Sequence, residues 1–376
     1  MAPPEAGETS FHVCMLIESS GAKAPLFLEG GDMKIFREDG YLDMGAIMGA
    51  SYPFTIVCGG RGTGKTFTAL SESIKDKVPF MLMRRLQTQI DMINKPEFSP
   101  FKAHERVYGW HIGLEKISKN NSAIYQQEET GEGYKSVGCP IGYTAALATI
   151  SNMRGFDASD VQRVIFDEFI PEKHERQIKN EASAIYNAYE TINRNRELNG
   201  EKPLQMVFLA NSNRLDNPLF MELRIVTRAE RMLKTGQHVW VDEKRGIMLV
   251  MFSDSPISAK KENTSLYKLT SGSEYAAMAL RNDFNTEDTG SIKARPIGEY
   301  NPIVKVGEIT IYRHKRGGQK IYVSAHKTGS PPEYGTGEIE LGRFCRAYNW
   351  LWLDYLESRV EFESTMCELL FQNYFR

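Results

Sequence analysis

Eight consecutive residues carry the clearest chemical signal in the chain. The run Gly59-Gly-Arg-Gly-Thr-Gly-Lys-Thr66 satisfies the pattern G-x-x-x-x-G-K-[ST] and lies between a short apolar run and a segment of helical composition. Glycines let successive backbone N–H groups turn inward around phosphate oxygens, and the start of a helix adds a favourable dipole. The sequence therefore predicts a nucleotide-binding phosphate loop made of Gly59, Gly60, Arg61, Gly62, Thr63, Gly64, Lys65 and Thr66.

Within that loop, two side chains have distinct chemical tasks. Lys65 would reach the β- and γ-phosphates of ATP, and the Thr66 hydroxyl would ligate Mg²⁺. The alternative is an accidental glycine-rich turn, which the flanking strand and helix patterns disfavour.

A second signal is the apolar run Val164-Ile-Phe-Asp167-Glu168, which ends in two carboxylates. In a phosphate-loop fold, we expect such a strand beside the strand that precedes the loop. Asp167 would then orient Mg²⁺ through water, and Glu168 would polarise the attacking water. A strand that merely ends in solvated acids is the alternative, but the complete phosphate loop upstream favours the catalytic interpretation.

Three further side chains could complete this site. Asn211 follows the apolar run Gln205–Ala210 and is placed to sense the γ-phosphate or to hold the water, although a turn-forming asparagine is the alternative. Phosphoryl transfer also needs a cation opposite the lysine. Arg194 could supply it to a neighbouring subunit's ATP, and Arg154 is a second candidate. An ordinary solvated arginine is the alternative.

The helical periodicity separates Arg194 from its neighbour Arg196. At 100° per residue, Arg194 projects about 200° away from the apolar stripe, whereas Arg196 lies four residues after Ile192 and points towards the packed face. Arg84 and Arg85 follow another apolar run and could contact phosphates of a nucleotide or of nucleic acid; solvated charges are the alternative.

Strands and helices alternate around these motifs. Strands are predicted at Phe54–Cys58, residues 79–83, Arg163–Phe166 and Gln205–Ala210, and residues 106–149 resemble a β-meander in which 143–150 form the last strand. Apolar residues three and four apart predict a helix from about 177 to 199, which Gly200 would end. This alternation predicts an α/β fold with a central, mostly parallel sheet.

Composition limits the class of protein. The 376 residues carry 46 Lys+Arg against 48 Asp+Glu, a net charge of −2, and 41% are hydrophobic. These fractions exclude a disordered or fibrous chain. The five cysteines have no CxxC spacing, so neither a disulfide framework nor a zinc site is expected, and a reducing compartment fits best. The sequence predicts no membrane span and no signal peptide.

The composition also suggests domain boundaries. Residues 1–50 form a lead-in, 51–224 a phosphate-loop domain, 225–245 a charged linker and 246–376 a smaller α+β domain. A two-metal nuclease would need converging carboxylates, and Asp254, Asp354 and Glu357, like the acids at 283, 287 and 288, form no tight set. The cluster Arg313–Arg316 with Lys320 is either a solvated hairpin tip or a contact to DNA, RNA or a portal.

Several strings together resemble one family. They are the phosphate loop, Met83-Arg-Arg85, Val164–Ile170, Ile192-Asn-Arg-Asn-Arg-Glu197 and Leu209-Ala-Asn-Ser212 followed by Asn217-Pro218. In this order and with similar gaps they are similar to the DNA-packaging ATPases of phi29-like podophages, relatives of the ATPase half of large terminases. The likeness covers residues from about 50 to 225 well and the remainder loosely. A longer lead-in and Pro171 are its departures.

This resemblance implies a P-loop NTPase of the additional-strand, terminase-like kind, with a C-terminal RNase H-like domain that has lost its catalytic acids. It implies that Lys65, Thr66, Asp167 and Glu168 serve the ATP site. Arg194 would be the trans finger, and Arg154 a trans-acting or coupling cation. It also implies a homo-oligomeric ring, usually a pentamer, docked in the host cytoplasm on the portal of an empty capsid, with a packaging RNA as a partner in some members.

The sequence thus predicts an ATPase that moves double-stranded DNA into a preformed capsid. Two alternatives stay open. The first is a full terminase with an active C-terminal metal-dependent nuclease. The second is a P-loop assembly protein in which ATP binding only switches partner contacts.

Overall fold

The computed structural model describes most of the chain after its first 32 residues. The described residues are 33–131, 133–153, 158–171, 175, 178–212, 214–261, 263–270, 273, 289–317 and 320–375. Arg154 lies outside them, as do residues 1–32 of the predicted lead-in and the acids at 283, 287 and 288.

Strands and helices are numbered in chain order over the described residues. The strands are β1 (Phe54–Cys58), β2 (Phe80–Arg84), β3 (Ile112–Lys116), β4 (Ser122–Thr130), β5 (Gly133–Ala146), β6 (Arg163–Asp167), β7 (Gln205–Ala210), β8 (Val239–Asp242), β9 (Ile247–Met251), β10 (Tyr300–Val306), β11 (Ile309–His314), β12 (Ile321–Ser324), β13 (Glu333–Tyr334) and β14 (Val360–Phe362). The α-helices are α1 (Met44–Gly49), α2 (Lys65–Lys75), α3 (Gln87–Ile93), α4 (Lys102–Tyr108), α5 (Glu181–Asn193), α6 (Pro218–Glu222), α7 (Val226–Thr235), α8 (Pro256–Lys261), α9 (Ser265–Leu269), α10 (Glu338–Leu356) and α11 (Thr365–Phe375).

A large, mostly parallel sheet forms the centre of the molecule. Its order over the described residues is β3-β4-β5-β2-β6-β7-β1-β9-β8. The strands from β5 to β9 in that order are parallel, and antiparallel pairs close both edges. The carboxyl ends of the parallel strands therefore share one edge, where ligands bind in α/β sheets. The predicted mixed α/β architecture is confirmed.

Helices cover both faces of this sheet, which explains why its strands are continuous apolar runs. Every residue of β6 and β9 is buried. Alternating residues face opposite cores: Ile56, for example, packs on the side of α5 and α7, whereas Val57 packs on the side of α1 and α2. The sheet is thus a rigid platform between two helical layers.

The strand that carries the acids is not beside the phosphate-loop strand, contrary to our expectation. β7 lies between them and pairs in parallel with both β1 and β6. Insertion of one strand is the arrangement that the additional-strand type of P-loop fold implies. The loop and the acids consequently face each other across the end of β7.

The segment predicted as a linker is ordered secondary structure. Residues 225–245 contain α7 and β8, and β8 pairs antiparallel with β9. Residues 246–252, assigned above to the smaller α+β domain, contain β9, which pairs in parallel with β1 and so belongs to the large sheet. An apolar five-residue run that is buried on both faces fits that sheet better than a small α+β unit.

Two predicted elements end earlier than expected. The helix predicted to reach residue 199 ends at Asn193, because Arg194 has a φ of 49° and breaks the helical backbone. Gly200 caps a following single 3₁₀ turn instead. The strand predicted to reach residue 150 ends at Ala146 and continues as a 3₁₀ turn.

A second sheet forms near the C-terminus. Its order is β13-β10-β11-β12-β14, with an antiparallel meander of β10, β11 and β12 flanked by parallel pairs. Helices α10 and α11 pack on it through Phe344, Leu351 and Phe371. Leu369 of α11 belongs to the core on the α7 side of the large sheet, so this helix joins the two sheets.

Among the described cysteines, Cys58, Cys345 and Cys367 are free thiols, whereas Cys139 is disulfide-bonded. One such bond differs from the expectation of a chain without disulfides. Across the described residues, no helix combines the length and the apolar character that a membrane span needs.

Candidate functional site

The phosphate loop joins β1 to α2 at the ligand-binding edge of the large sheet. Gly64 begins α2 with a φ of +86°, a left-handed conformation that favours glycine. At Gly59, a Cβ would overlap the ring of Phe252. The glycines at these two positions are therefore required by the backbone and by packing.

Lys65 is buried inside the loop that it is expected to serve. Its ammonium group donates to the carbonyl oxygens of Gly59 and Gly60, each at 2.8 Å. Burial lowers the pKa of Lys65 to about 8, against an opposing effect of the Asp167 carboxylate. A phosphate would replace neutral carbonyl acceptors by anionic oxygens, which form hydrogen bonds about twice as strong.

Thr66 and Asp167 meet across the end of β7. The Thr66 hydroxyl donates to Asp167 Oδ1 at 2.9 Å, and Asp167 is 4% exposed. A hydroxyl and a carboxylate side by side form the hard-oxygen donor set that suits Mg²⁺. The two predicted metal ligands are thus brought together, and their chemistry fits the ion.

Glu168 follows β6 in a left-handed conformation, with a φ of 55°. This turn directs its side chain away from the buried strand, and the side chain is half-exposed. Partial burial raises the pKa of Glu168, while the Arg84 guanidinium opposes that rise. A left-handed glutamate is strained, which is common at functional sites.

Arg84 holds both acids at once. Its guanidinium contacts Asp167 Oδ2 at 2.8 Å and forms a second ion pair with Glu168. The strand register explains the contact. Met83 of β2 lies opposite Phe166 of β6, so the residues that follow them, Arg84 and Asp167, are also close together. The sequence suggested that Arg84 contacts phosphates; in this structure it pairs with the two acids instead and offsets part of their negative charge.

Arg85 is completely buried and does not face the phosphate loop. Its guanidinium forms two parallel hydrogen bonds with Glu181, at 2.6 and 2.9 Å. The prediction that Arg85 contacts phosphates or solvent is wrong for this structure. The pair ties the end of β2 to the first turn of α5.

Because this pair is buried, removing one partner leaves an uncompensated charge. We expect Arg85→Met to lower the free energy of unfolding by about 3–5 kcal/mol, measured by urea denaturation. The double variant Arg85→Met with Glu181→Leu should lose less of the free energy of unfolding than the single variant Arg85→Met. Lys116→Met, at the exposed end of β3, is the control. A loss below about 1 kcal/mol for Arg85→Met would contradict a structural role.

The remaining predicted residues lie at different distances from this centre. Asn211 directly follows β7, between the loop and the acids, and the Gly59 N–H donates to the Ala210 carbonyl at 3.2 Å. Arg194 is exposed at the C-terminal end of α5. Arg196 is 8% exposed and donates to the carbonyls of Ser159 and Val161; it is buried as expected, although the helix ends before it, at Asn193.

Arg194 lies at the far edge of the sheet from its own phosphate loop. Helix α5 begins beside Arg85, near the acids, and its 13 residues span about 20 Å. Arg196 then anchors the turn to residues that precede β6. Arg194 therefore lies at the end of α5 that is remote from the site of its own chain.

Most of the basic cluster near the C-terminus is engaged within the chain. The Arg313 guanidinium lies 5.0 Å from the centre of the Trp350 ring. Lys315 donates to the Gly298 carbonyl at 2.7 Å, and Lys320 contacts the buried Glu361 at 2.8 Å. These contacts favour a structural role for much of the cluster.

The sequence was compared with models of known protein families. The profile of the Podovirus DNA encapsidation protein (Gp16) family matches residues 135–327, just over half of the chain. The chain belongs to this family. The matched residues include the acid pair, Asn211 and much of the C-terminal sheet.

Curated relatives of the encapsidation family agree with the profile. The DNA packaging protein of Bacillus phage phi29 is 25% identical over 234 residues, which are 61% of each chain. That of Bacillus phage B103 is 26% identical over 251 residues, or 64% of this chain and 66% of the relative. The match thus spans less than two thirds of these relatives' length.

Two solved structures share the fold over a longer region. One, described as the bacteriophage Phi-29 viral genome packaging motor assembly, aligns with a TM-score of 0.62 and 18% identity, covering 89% of this chain and 99% of that chain. The other, described as the Phi-28 gp11 DNA packaging motor, aligns with a TM-score of 0.57 and 19% identity, covering 86% of this chain and 94% of that chain. These likenesses support the fold assignment.

Proposed function

We propose that this protein is the ATPase of a phage motor that translocates double-stranded DNA into a preformed capsid. The contact between Thr66 and Asp167, 2.9 Å apart, carries the proposal, because it joins a phosphate loop to an acid strand in the geometry of a nucleotide–Mg²⁺ site. Membership in the encapsidation family and the name of its phi29 relative, a DNA packaging protein, support the coupling to DNA.

Each residue of the site has a task in this proposal. Lys65 leaves the loop carbonyls to bind the β- and γ-phosphates of ATP, while Thr66 and Asp167 hold Mg²⁺. When bound, the ion supplies Lewis-acid charge that neutralises the phosphates. Asn211 holds the attacking water or senses the γ-phosphate, and Glu168 takes the proton of that water.

Arg84 must release Glu168 before hydrolysis in this scheme. The Arg84 guanidinium opposes the rise in the Glu168 pKa that burial causes, and its ion pair occupies the carboxylate that must accept the proton. Turnover therefore requires the Arg84 guanidinium to leave Glu168, while it keeps its contact with Asp167 or binds the nucleotide.

The assembly is a homo-oligomeric ring, a pentamer as the family resemblance implies, on the portal of the procapsid in the host cytoplasm. Arg194 completes the neighbour's site as a trans finger, and Arg154 is a second trans-acting or coupling cation. The exposed position of Arg194, away from its own loop, supports a role between subunits. A packaging RNA remains a further partner in this proposal.

The C-terminal unit is proposed to be an RNase H-like domain without nuclease activity. Asp354 and Glu357 both form ion pairs with Arg359, and Asp254 follows β9 of the large sheet. Metal-dependent cleavage of DNA by the purified protein, lost on Asp354→Ala, would favour the terminase alternative. A single slow turnover that DNA and capsids do not stimulate would favour the assembly-switch alternative.

The test is steady-state ATP hydrolysis by purified protein with Mg²⁺, procapsids and double-stranded DNA. We expect turnover to rise when both are present and to fall with added salt, because the DNA is held mainly through its phosphates. Turnover that DNA and procapsids leave unchanged would contradict the proposal.

The lowered pKa of Lys65 predicts a pH dependence of ATP affinity. Free protein loses the Lys65 proton near pH 8, whereas bound phosphates require the charged ammonium. The affinity for ATP should change little from pH 7 to 7.5. Above pH 8 it should decrease, with a slope that approaches tenfold per pH unit, and binding should take up a proton. Calorimetry in buffers of different ionisation enthalpy measures this uptake.

Lys65→Arg is the control for this titration, because arginine stays charged over the whole range. It should remove the proton uptake near pH 8.5, even if its affinity is lower. An ATP affinity of the wild-type protein that stays constant from pH 7 to 9.5 would contradict the proposed role of the Lys65 charge.

A further inference from the structure

A second lysine lies against the phosphate loop from outside the motif. Lys261, the last residue of α8, donates from its ammonium group to the Arg61 carbonyl. That ammonium group also occupies the space that a Cβ at Gly62 would take. Gly62 thus makes room for a cation that is 200 positions away in sequence from Arg61.

The segment from Phe252 to Lys261 is fixed beside the loop by several contacts. The Phe252 N–H donates to the Cys58 carbonyl at 3.2 Å, and its ring covers Gly59. Pro256 packs close to Gly40. Strand β9 places this segment there, because it pairs with β1 up to the register Cys58 opposite Met251.

The acceptors of the two lysines form a continuous set. Lys65 donates to the carbonyls of Gly59 and Gly60, and Lys261 donates to the next carbonyl along the loop. Both cations are therefore held by neutral oxygens of the same turn. Lys261 also contributes to lowering the pKa of Lys65, after the larger effect of burial, so the two positive charges repel each other.

We propose that Lys261 is a second phosphate-binding residue, which leaves the Arg61 carbonyl to bind the nucleotide phosphates in its own subunit. This inference rests on the proposed function. An anion between Lys65 and Lys261 would relieve their repulsion and give both ammonium groups a charged acceptor.

The full-length Lys261→Met variant tests the phosphate contact, with Lys260→Met as its matched control. Lys260 precedes it on α8 and donates to the Asp39 carbonyl at 3.3 Å. Calorimetry with AMP, ADP and a non-hydrolysable ATP analogue, each with Mg²⁺, gives the affinities. We expect Lys261→Met to weaken the binding of ADP and of the ATP analogue about tenfold to hundredfold. The binding of AMP should weaken less than twofold.

The controls separate this role from a structural one. Lys260→Met should bind like the wild-type protein, and Lys261→Arg should recover most of the lost affinity because it keeps the charge. An equal loss for AMP, ADP and the ATP analogue, or no loss at all, would overturn the proposal. If the wild-type protein binds none of the three, the proposed function itself fails, which is a distinct result.

A labelling experiment on the wild-type protein tests the same contact without any substitution. Lysine acetylation is followed by mass spectrometry with and without saturating ADP. ADP should slow the labelling of Lys261 several-fold and leave that of Lys260 unchanged. Equal labelling of Lys261 with and without ADP would overturn the proposal, even if Lys261→Met failed to fold.

Discussion

Glu168→Gln should lower ATP turnover by about 10²–10⁴-fold while ATP affinity changes little. The amide has nearly the same shape as the carboxylate but cannot take a proton from the attacking water. Because the proposed site assigns the contacts with the nucleotide to Lys65, Thr66 and Asp167, binding should persist. Steady-state hydrolysis and calorimetry with a non-hydrolysable ATP analogue measure the two effects.

The matched control is Glu128→Gln, which alters an exposed glutamate on β4. Its turnover should equal that of the wild-type protein. If Glu168→Gln hydrolysed ATP at more than about a tenth of the wild-type rate, Glu168 would not be the general base. Loss of ATP binding together with turnover would indicate instead that Glu168 only supports the loop.

Arg194→Ala should lower turnover in assembled rings by about 10³–10⁵-fold, the range typical of an arginine finger. Within its own chain, Arg194 is separated from the phosphate loop by α5, which spans about 20 Å. In a head-to-tail ring, this edge of one subunit meets a different surface of the next. If Arg194 is the finger, it can therefore act only on the site of a neighbouring subunit.

Mixed rings test this direction of action. Arg194→Ala subunits should silence the site of an adjacent wild-type subunit, while their own sites stay active when a wild-type neighbour supplies the arginine. Mixing Arg194→Ala subunits with Glu168→Gln subunits, each inactive alone, should then restore part of the ATP turnover. Lys202→Ala, at an exposed lysine beyond Gly200, is the control. No recovery in any mixture would contradict the trans role.

Local motifs predicted which residues meet at the candidate site. The phosphate loop and the Asp167-Glu168 pair are contiguous strings whose chemistry depends on residue type and on the strand or helix that follows. Their meeting at one sheet edge follows from parallel strands, which place their carboxyl ends together. Arg194 is exposed and Arg196 is buried, as helical periodicity predicts, although α5 ends at Asn193 and neither arginine lies in it.

Contacts that depend on strand order were not predictable from the sequence. The interposed β7 cannot be read from any one run of residues, and neither can the pairing of β9 with β1. Arg84 and Arg85 are adjacent and identical in type, yet one holds the acids and the other pairs with Glu181. Lys261 is 200 residues away from Arg61 in sequence and reaches the loop only because β9 lies beside β1.

The central claim is that ATP bound by the 59–66 loop is hydrolysed to move DNA. The most direct test is filling of purified procapsids with double-stranded DNA, measured as nuclease-protected DNA, using the wild-type protein and Lys65→Ala side by side. The account predicts ATP-dependent filling by the wild-type protein and none by Lys65→Ala. Filling by Lys65→Ala at the wild-type rate would contradict it.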